Sequence, residues 1–157
     1  MTAHCSANKK GYGSIWHEGQ NGRTGNDIAS SVMKVLDAAV EENSHDPRVE
    51  HITLWSDSCV PQNRNSILST AIKVFLKAHL QVQTIEHKFC QPGHSSIQEV
   101  DNLHSQIEAV CSKSEMYSPV GLVRMLKMVR RVKPLKLTQL RSDDFKDFSA
   151  ISRQAQH

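Results

Sequence analysis

The sequence predicts an α/β fold in which a mixed sheet carries helices on both faces. Two short segments rich in β-forming residues, 3–8 and 11–16, flank a Lys9-Lys10-Gly11 turn and predict an antiparallel pair of strands. After this pair, strand-like and helix-like segments alternate, as in sheets whose parallel strands are connected through helices. The length of 157 residues is that of one ordinary domain. We therefore expect a single domain over residues 1–157.

The later elements are predicted from the spacing of apolar residues. In the helical segments apolar residues recur every three or four positions, and in the strands β-formers alternate with polar residues. The predicted helices cover residues from about 26 to 43, 62 to 79, 97 to 111, 118 to 131 and 143 to 151. The predicted strands cover 49–55, 82–89 and a short last segment, 135–140. Thr24 or Asn26 is expected to cap the first helix, and Ser118-Pro119 begins the fourth.

The composition excludes several classes of protein. Hydrophobic residues make up 38% and charged residues 22% of the chain, which is typical of a globular domain. No apolar run approaches the roughly 20 residues that cross a bilayer, so we expect no membrane partner. The four cysteines, Cys5, Cys59, Cys90 and Cys111, form no CxxC pair and are spaced too widely for a zinc motif. With no visible signal peptide, reduced thiols in an intracellular protein are expected.

Charge is distributed unevenly along the chain. Residues 1–112 hold nine Lys or Arg against twelve Asp or Glu, whereas residues 113–157 hold ten against four. A basic C-terminal third beside a slightly acidic body suits a nucleic-acid partner. The same pattern is also compatible with a solvated basic face that binds nothing.

Asp57 is the first candidate for a chemical role. It stands just past the predicted strand 49–55, and ligands of open α/β sheets bind outside the carboxyl ends of the strands. A carboxylate at that point can reach a metal while its backbone is held by the sheet. The alternative is that Asp57 or Ser58 caps the next helix.

A second group of candidates lies on the predicted helix 97–111. Asp101, His104 and Glu108 are spaced by three and four residues, so they project from one side of the helix. Glu99 is a rival one turn earlier. The neighbouring side carries the apolar residues Val100, Leu103, Ile107 and Val110. The alternative is an ordinary amphipathic helix whose polar side faces water.

Two loops supply polar groups close to these acids. Gln62, Asn63 and Arg64 follow Asp57, and such side chains bond phosphate or sugar oxygens, although they also satisfy local backbone groups. His94 lies in a Pro-Gly-His turn ahead of the acidic helix. Histidine titrates near neutral pH and is suited to contact a scissile phosphate, but it is also a common surface residue.

Taken in order, three of these segments resemble the core of transposase-like proteins encoded by animal DNA transposons. The segments are Leu54-Trp-Ser-Asp-Ser-Cys-Val-Pro-Gln-Asn-Arg-Asn65, Pro92-Gly-His94 and Val100-Asp-Asn-Leu-His104-Ser-Gln-Ile-Glu108. The family pattern is S-D-N-C-x-x-Q-N-K-N, a G-H turn and D-x-x-H-x-x-I-E, and Ser58 departs from it by replacing Asn. The resemblance extends over roughly 10–150. It implies a ribonuclease-H-like (DDE-type) core at roughly 3–112, followed by a basic helical part at 113–157.

The resemblance also implies roles for the acidic residues. In this family two divalent metals, usually magnesium, are held by carboxylates and clamp the reacting oxygens of a phosphodiester displacement. Asp57 would be the second and Asp101 the third of these acids, with His104 and Glu108 as auxiliary residues. The first acid lies on the first strand of such cores, but Met1–Ile15 contains no Asp or Glu. The expectation is therefore a mixed sheet whose first strand, with its carboxylate, is missing.

On this basis the expected function is metal-dependent cleavage or strand transfer on DNA in the nucleus, impaired here by the missing acid. The basic side of the helix at 118–131, with Arg124, Lys127 and Arg131, is expected to bind DNA together with the loop residues. The alternative is a non-catalytic DNA-binding or protein-interaction module derived from a transposon. A sheet edge left open by the missing strand would also favour homo-oligomers or pairing with another chain.

Overall fold

The computed structural model describes residues 1–44, 49–57, 65–90, 98–113, 118–130 and 132–154. This part of the chain contains five strands and five α-helices, which confirms the predicted α/β class. The strands are β1 (Thr2–Cys5), β2 (Lys10–Ile15), β3 (His51–Ser56), β4 (Thr84–Phe89) and β5 (Lys136–Gln139). The helices are α1 (Gly25–Glu42), α2 (Ser66–Ala78), α3 (Gln98–Cys111), α4 (Pro119–Met128) and α5 (Phe148–Gln154). None of these helices combines the length and the apolar character that a bilayer crossing requires.

The strands form two sheets where the sequence predicted one. β1, β2 and β5 form a three-stranded sheet with β2 in the centre, and β3 and β4 form a parallel pair. β2 pairs antiparallel with β1 and parallel with β5, so the predicted mixed pairing is confirmed in the first sheet. The second edge of β2 is taken by the C-terminal strand, from Tyr12 beside Lys136 to Ile15 beside Gln139. The basic C-terminal part therefore belongs to the sheet and is not an appendage to it.

The hairpin turn and the last helix differ from their predicted positions. The turn includes Asn8 and Lys9, because Lys9 has a φ of 55° and Asn8 Oδ1 accepts the N–H of Lys10. Gly11, predicted to be part of the turn, lies inside β2. The predicted helix 143–151 is wrong in its bounds, because Ser142–Asp144 is a separate 3-10 turn. Asp147 accepts hydrogen bonds from the Ser149 hydroxyl and the Ala150 N–H, as a residue that caps a helix does. Helix α5 therefore begins at Phe148, four residues after Asp144.

Helix α1 holds the two sheets together. The larger core cluster joins α1, α2 and α5 to the β3–β4 pair, with Phe75 and Phe148 almost fully buried. The smaller cluster joins α1 to the three-stranded sheet through Tyr12, Val35 and Ala38. Because both clusters include residues of the same 18-residue helix, α1 is the common support of the fold.

The other face of the three-stranded sheet carries α3 and α4. Leu103 of α3 is completely buried, and a Cβ added to Gly11 would lie 3.1 Å from its Cδ2 and 2.5 Å from Cδ2 of Leu135. Tyr12, the next residue of β2, points the opposite way toward α1. Gly11 therefore allows the α3 side to pack closely on the strand. An apolar cavity of about 220 Å³ remains between this face and the two helices.

A polar cluster ties the carboxyl end of α1 to the three-stranded sheet. Glu42 accepts hydrogen bonds from the Tyr12 hydroxyl at 2.7 Å and from Lys10 Nζ at 3.1 Å, and Lys136 Nζ lies 3.4 Å away. Burial acts to raise the pKa of Glu42, but the hydrogen bonds and the two lysines outweigh it and leave the pKa below its ordinary value. Burial also raises the pKa of Tyr12, so its hydroxyl stays protonated and donates to the carboxylate.

Glu42→Gln is expected to lower the Tm at neutral pH by about 2–4 °C, the shift that about 1 kcal/mol causes in a domain of this size. Because the folded-state pKa of Glu42 is depressed, its stabilising effect is present above the ordinary value of 4.5 and is lost as the pH falls below it. Thermal unfolding of both proteins from pH 7 to pH 3 checks this, and the two Tm values should converge at the acidic end. A difference that stays constant over this range would contradict the role given to the Glu42 charge.

Candidate functional site

Asp57 lies where the sequence placed it, directly after the last residue of β3 at the carboxyl end of the parallel β3–β4 pair. Ser56 before it is bonded through Oγ to His87 Nε2 of β4 at 2.8 Å. Burial holds the pKa of His87 below its ordinary value, so this histidine is neutral at physiological pH. Both strands are thus tied together immediately before Asp57.

The alternative role of Asp57 as a helix cap is wrong. Helix α2 begins at Ser66, and Asn65 caps it by accepting the N–H of Leu68 at 2.9 Å. The sequence signal for this cap was an asparagine three residues before a buried leucine. The prediction missed this signal and began the helix at residue 62, four residues too early. Ser58 and the loop candidates Gln62, Asn63 and Arg64 lie outside the described residues, as does His94.

The candidates on α3 lie on its solvent side. Asp101, His104 and Glu108 are exposed, as is their rival Glu99. The adjoining apolar side packs on the three-stranded sheet through Leu103, which confirms the predicted amphipathic pattern. His104 Nε2 is hydrogen-bonded to Thr2 Oγ1 of β1. This bond connects the polar side of α3 to the first strand.

The structure does not gather these candidates into one cluster. Asp57 directly follows a strand of the two-stranded sheet, whereas α3 packs on β1 of the other sheet. Within the described ranges, no three His, Cys, Asp or Glu side chains form a group that could hold a metal ion. Asp57 therefore does not combine with two of the three α3 side chains at one metal. A magnesium site formed by Asp57 and Asp101 alone stays a prediction.

Helix α4 presents the basic candidates. Ser118 caps it by accepting the N–H of Gly121 at 3.1 Å, and Pro119 is its first residue, as predicted. The helix ends at Met128, so it is shorter than the predicted 118–131. Its buried side consists mainly of Met125 and Leu126.

Arg124 and Lys127 point to solvent from the opposite side of α4. In the part of the chain that the structure describes, every ion pair lies elsewhere, so neither side chain has an acidic partner. The next two basic residues that the structure describes, Arg130 and Lys133, are bonded within the protein. Arg130 Nε donates to Gln106 of α3 at 2.9 Å, and Lys133 Nζ donates to the Asn8 carbonyl at 2.9 Å. Arg131 lies outside the described residues.

Comparison of the chain with protein-family models, with curated proteins and with solved structures finds no match. Any functional assignment therefore depends on the chemistry and the placement of its own residues. Two features remain for that purpose. They are the two cations of α4, which have no acidic partner among the described residues, and the carboxylate that follows β3.

Proposed function

We propose that this chain is a DNA-binding domain that contacts the phosphate backbone through the basic side of α4. The observation that carries the proposal is that Arg124 and Lys127, one helical turn apart, are both exposed and have no acidic partner among the described residues. Arginine and lysine that are not neutralised within a protein are the usual ligands of phosphate oxygens.

The contacts that hold α4 in place suit binding to phosphates. Met125 and Leu126 anchor the helix against the core, and Arg130 fastens its end to Gln106. A helix held on its inner side offers both cations at a constant spacing, so less side-chain and backbone entropy is lost when phosphates bind. The excess of basic residues over 113–157 adds a long-range attraction for a polyanion. A nuclear location is part of the same proposal.

The double variant Arg124→Ala with Lys127→Ala is expected to bind a 20-base-pair duplex more weakly. The negative slope of log K against log salt should become less steep by about two, about one for each lost phosphate contact. Fluorescence anisotropy from 50 to 200 mM salt without magnesium measures both quantities. Lys73→Ala with Lys77→Ala is the matched control, because these two lysines are exposed on α2 four residues apart. Equal effects of the two double variants would contradict the assignment to α4.

A second candidate function is metal-dependent cleavage or strand transfer on DNA. It is supported by the resemblance of the motifs around Asp57, Asp101 and Glu108 to DNA-transposon transposases, and by the position of Asp57 at the carboxyl end of a parallel strand pair. Asp57 and Asp101 would hold magnesium, with His104 and Glu108 nearby in an auxiliary role. Because no first acid is found in the N-terminal strands, we expect weak activity at most. DNA binding does not depend on this second proposal.

A further inference from the structure

The exposed side of α4 carries apolar residues as well as cations. Val120 and Met128 are 61% and 63% exposed, and Arg124 lies midway between them in the sequence of the helix. With 3.6 residues per turn, Val120, Arg124, Lys127 and Met128 fall within an arc of about 100° around the axis. All four side chains are exposed, and the buried residues of the helix lie outside this arc. These four residues are called the outer face of α4 here.

Cations and apolar side chains alternate on the outer face. Seen along the axis, Val120 lies between Lys127 and Arg124, and Met128 lies beside Arg124. Phosphate oxygens bind cations and hydrogen-bond donors, so a surface that contacts only a phosphate backbone gains nothing from valine or methionine. Apolar side chains contribute to binding where contact removes them from water. The outer face therefore suits a partner that presents anionic and apolar groups side by side.

The major groove of duplex DNA presents this combination. Phosphates line its two walls, and the 5-methyl groups of thymine project from its floor. The groove is about 12 Å wide and admits a helix, whose diameter with side chains is about 10–12 Å. The minor groove is about 6 Å wide and carries no methyl group, so it fits the outer face neither in size nor in chemistry.

We infer that α4 enters the major groove of duplex DNA, where Val120 and Met128 contact thymine methyl groups. This inference rests on the proposed DNA binding, to which it adds the groove and the preferred base. The longer side chains of Arg124 and Lys127 extend sideways to the phosphates, with their aliphatic stems over the apolar residues. The shorter apolar side chains are left to face the bases.

The spacing of the two apolar residues determines the length of the contacted sequence. Val120 and Met128 are eight residues apart, which corresponds to about 12 Å along the helix axis. Successive base pairs are about 3.4 Å apart, so the two side chains would contact thymines three to four base pairs from each other. The spacing is fixed because Ser118 caps the helix at 3.1 Å and Arg130 is bonded to Gln106 of α3 at 2.9 Å. A run of A·T pairs is therefore the preferred site.

Two duplexes that differ only in the methyl group test the inference. The first contains 20 alternating A·T pairs, and the second has deoxyuridine in place of every thymidine. Fluorescence anisotropy without magnesium should show tighter binding of the thymine duplex by about 15-fold, the combined effect of removing two methyl groups from water at about fourfold each. The salt slopes of the two duplexes should be equal, because their phosphates are the same.

A matched pair of double variants assigns the preference to the outer face. Val120→Ala with Met128→Ala should reduce the ratio of the two affinities to about twofold, because both apolar contacts are shortened. Val74→Ala with Leu80→Ala is the control, since these apolar residues are 37% and 87% exposed outside α4. The control should keep the full preference for thymine. A ratio that is unchanged in the first double variant would overturn the inference.

The same measurements separate this inference from the proposed function. Equal affinity of the unmodified chain for both duplexes, with binding still weakened by Arg124→Ala with Lys127→Ala, would overturn the major-groove contact and leave phosphate binding in place. If neither duplex binds, the proposed function is wrong and the inference fails with it. In that case a labelled amphipathic helix of glutamate and leucine, bound by the unmodified chain and not by Val120→Ala with Met128→Ala, would assign the outer face to an acidic protein partner.

Discussion

Leu103→Ala is expected to lower the free energy of unfolding by about 2–5 kcal/mol, the range for truncation of a buried leucine. The Leu103 side chain is completely buried between α3 and the three-stranded sheet, where Gly11 leaves space for it. A cavity of about 220 Å³ already adjoins this layer, with Ile107 of α3 among its lining residues. We expect the loss toward the lower part of the range if Leu122 and Leu126 of α4 relax into the vacated volume.

Urea unfolding followed by circular dichroism measures this loss. Leu80→Ala is the matched control, because the same atoms are removed from a leucine that is 87% exposed, and its effect should stay within about 0.5 kcal/mol. Since α3 carries Asp101, His104 and Glu108, the variant also tests whether this helix is held by Leu103. Similar losses for both variants would show that the packing of α3 on β2 contributes little to stability.

Asp57→Asn and Asp101→Asn are each expected to reduce magnesium-dependent DNA cleavage by about 100-fold or more, equivalent to roughly 3 kcal/mol of transition-state stabilisation. The substitution keeps the size of the side chain and removes the charge that a divalent cation requires. Single-turnover cleavage of an end-labelled duplex with and without magnesium measures the effect. DNA affinity without magnesium should be unchanged, because neither residue belongs to α4.

Asp143→Asn is the control for this pair, since Asp143 is an exposed acid that lies outside the motifs. Its cleavage rate should equal that of the unmodified chain. Full activity in either Asp57→Asn or Asp101→Asn would contradict its role as a metal ligand. If the unmodified chain shows no magnesium-dependent cleavage while the salt-dependent DNA binding persists, catalysis is excluded and the DNA-binding proposal stands.

The candidate site could be predicted only in part. The amphipathic pattern of α3 correctly placed Leu103 inside and Asp101 outside, because a 3.6-residue period determines which side a residue occupies. It contained no information on whether the side of Asp101 would meet Asp57, since that depends on how α3 and β3 are placed in space. The sequence also could not predict that Arg130 and Lys133 form hydrogen bonds within the protein, because their acceptors, Gln106 and Asn8, are distant in sequence.

Local chemistry in the sequence was sufficient to predict that each helix and strand exists, but the predicted bounds of α2, α4 and α5 were wrong. Thr24, one of the two predicted caps, precedes α1, and Asp27 accepts its N–H at 2.7 Å. Ser118 with Pro119 begins α4 as predicted. Such caps are formed within three residues, so their signal is present in the sequence. At the last helix, Asp144 belongs to a separate 3-10 turn and is bonded to Lys34 of α1 at 2.8 Å, a contact between residues far apart in the sequence.

Only the tertiary structure decided how the strands are divided. Strands of similar composition have no local preference for one partner over another, and pairing depends on contacts between residues far apart in the chain. β5 lies beside β2, more than 120 residues away in the sequence, and this pairing leaves β1 at the edge of the three-stranded sheet. The periodicity of each strand determined which side chains are buried, whereas the division of the described strands into two sheets, both packed on α1, depends on contacts between residues far apart in the chain.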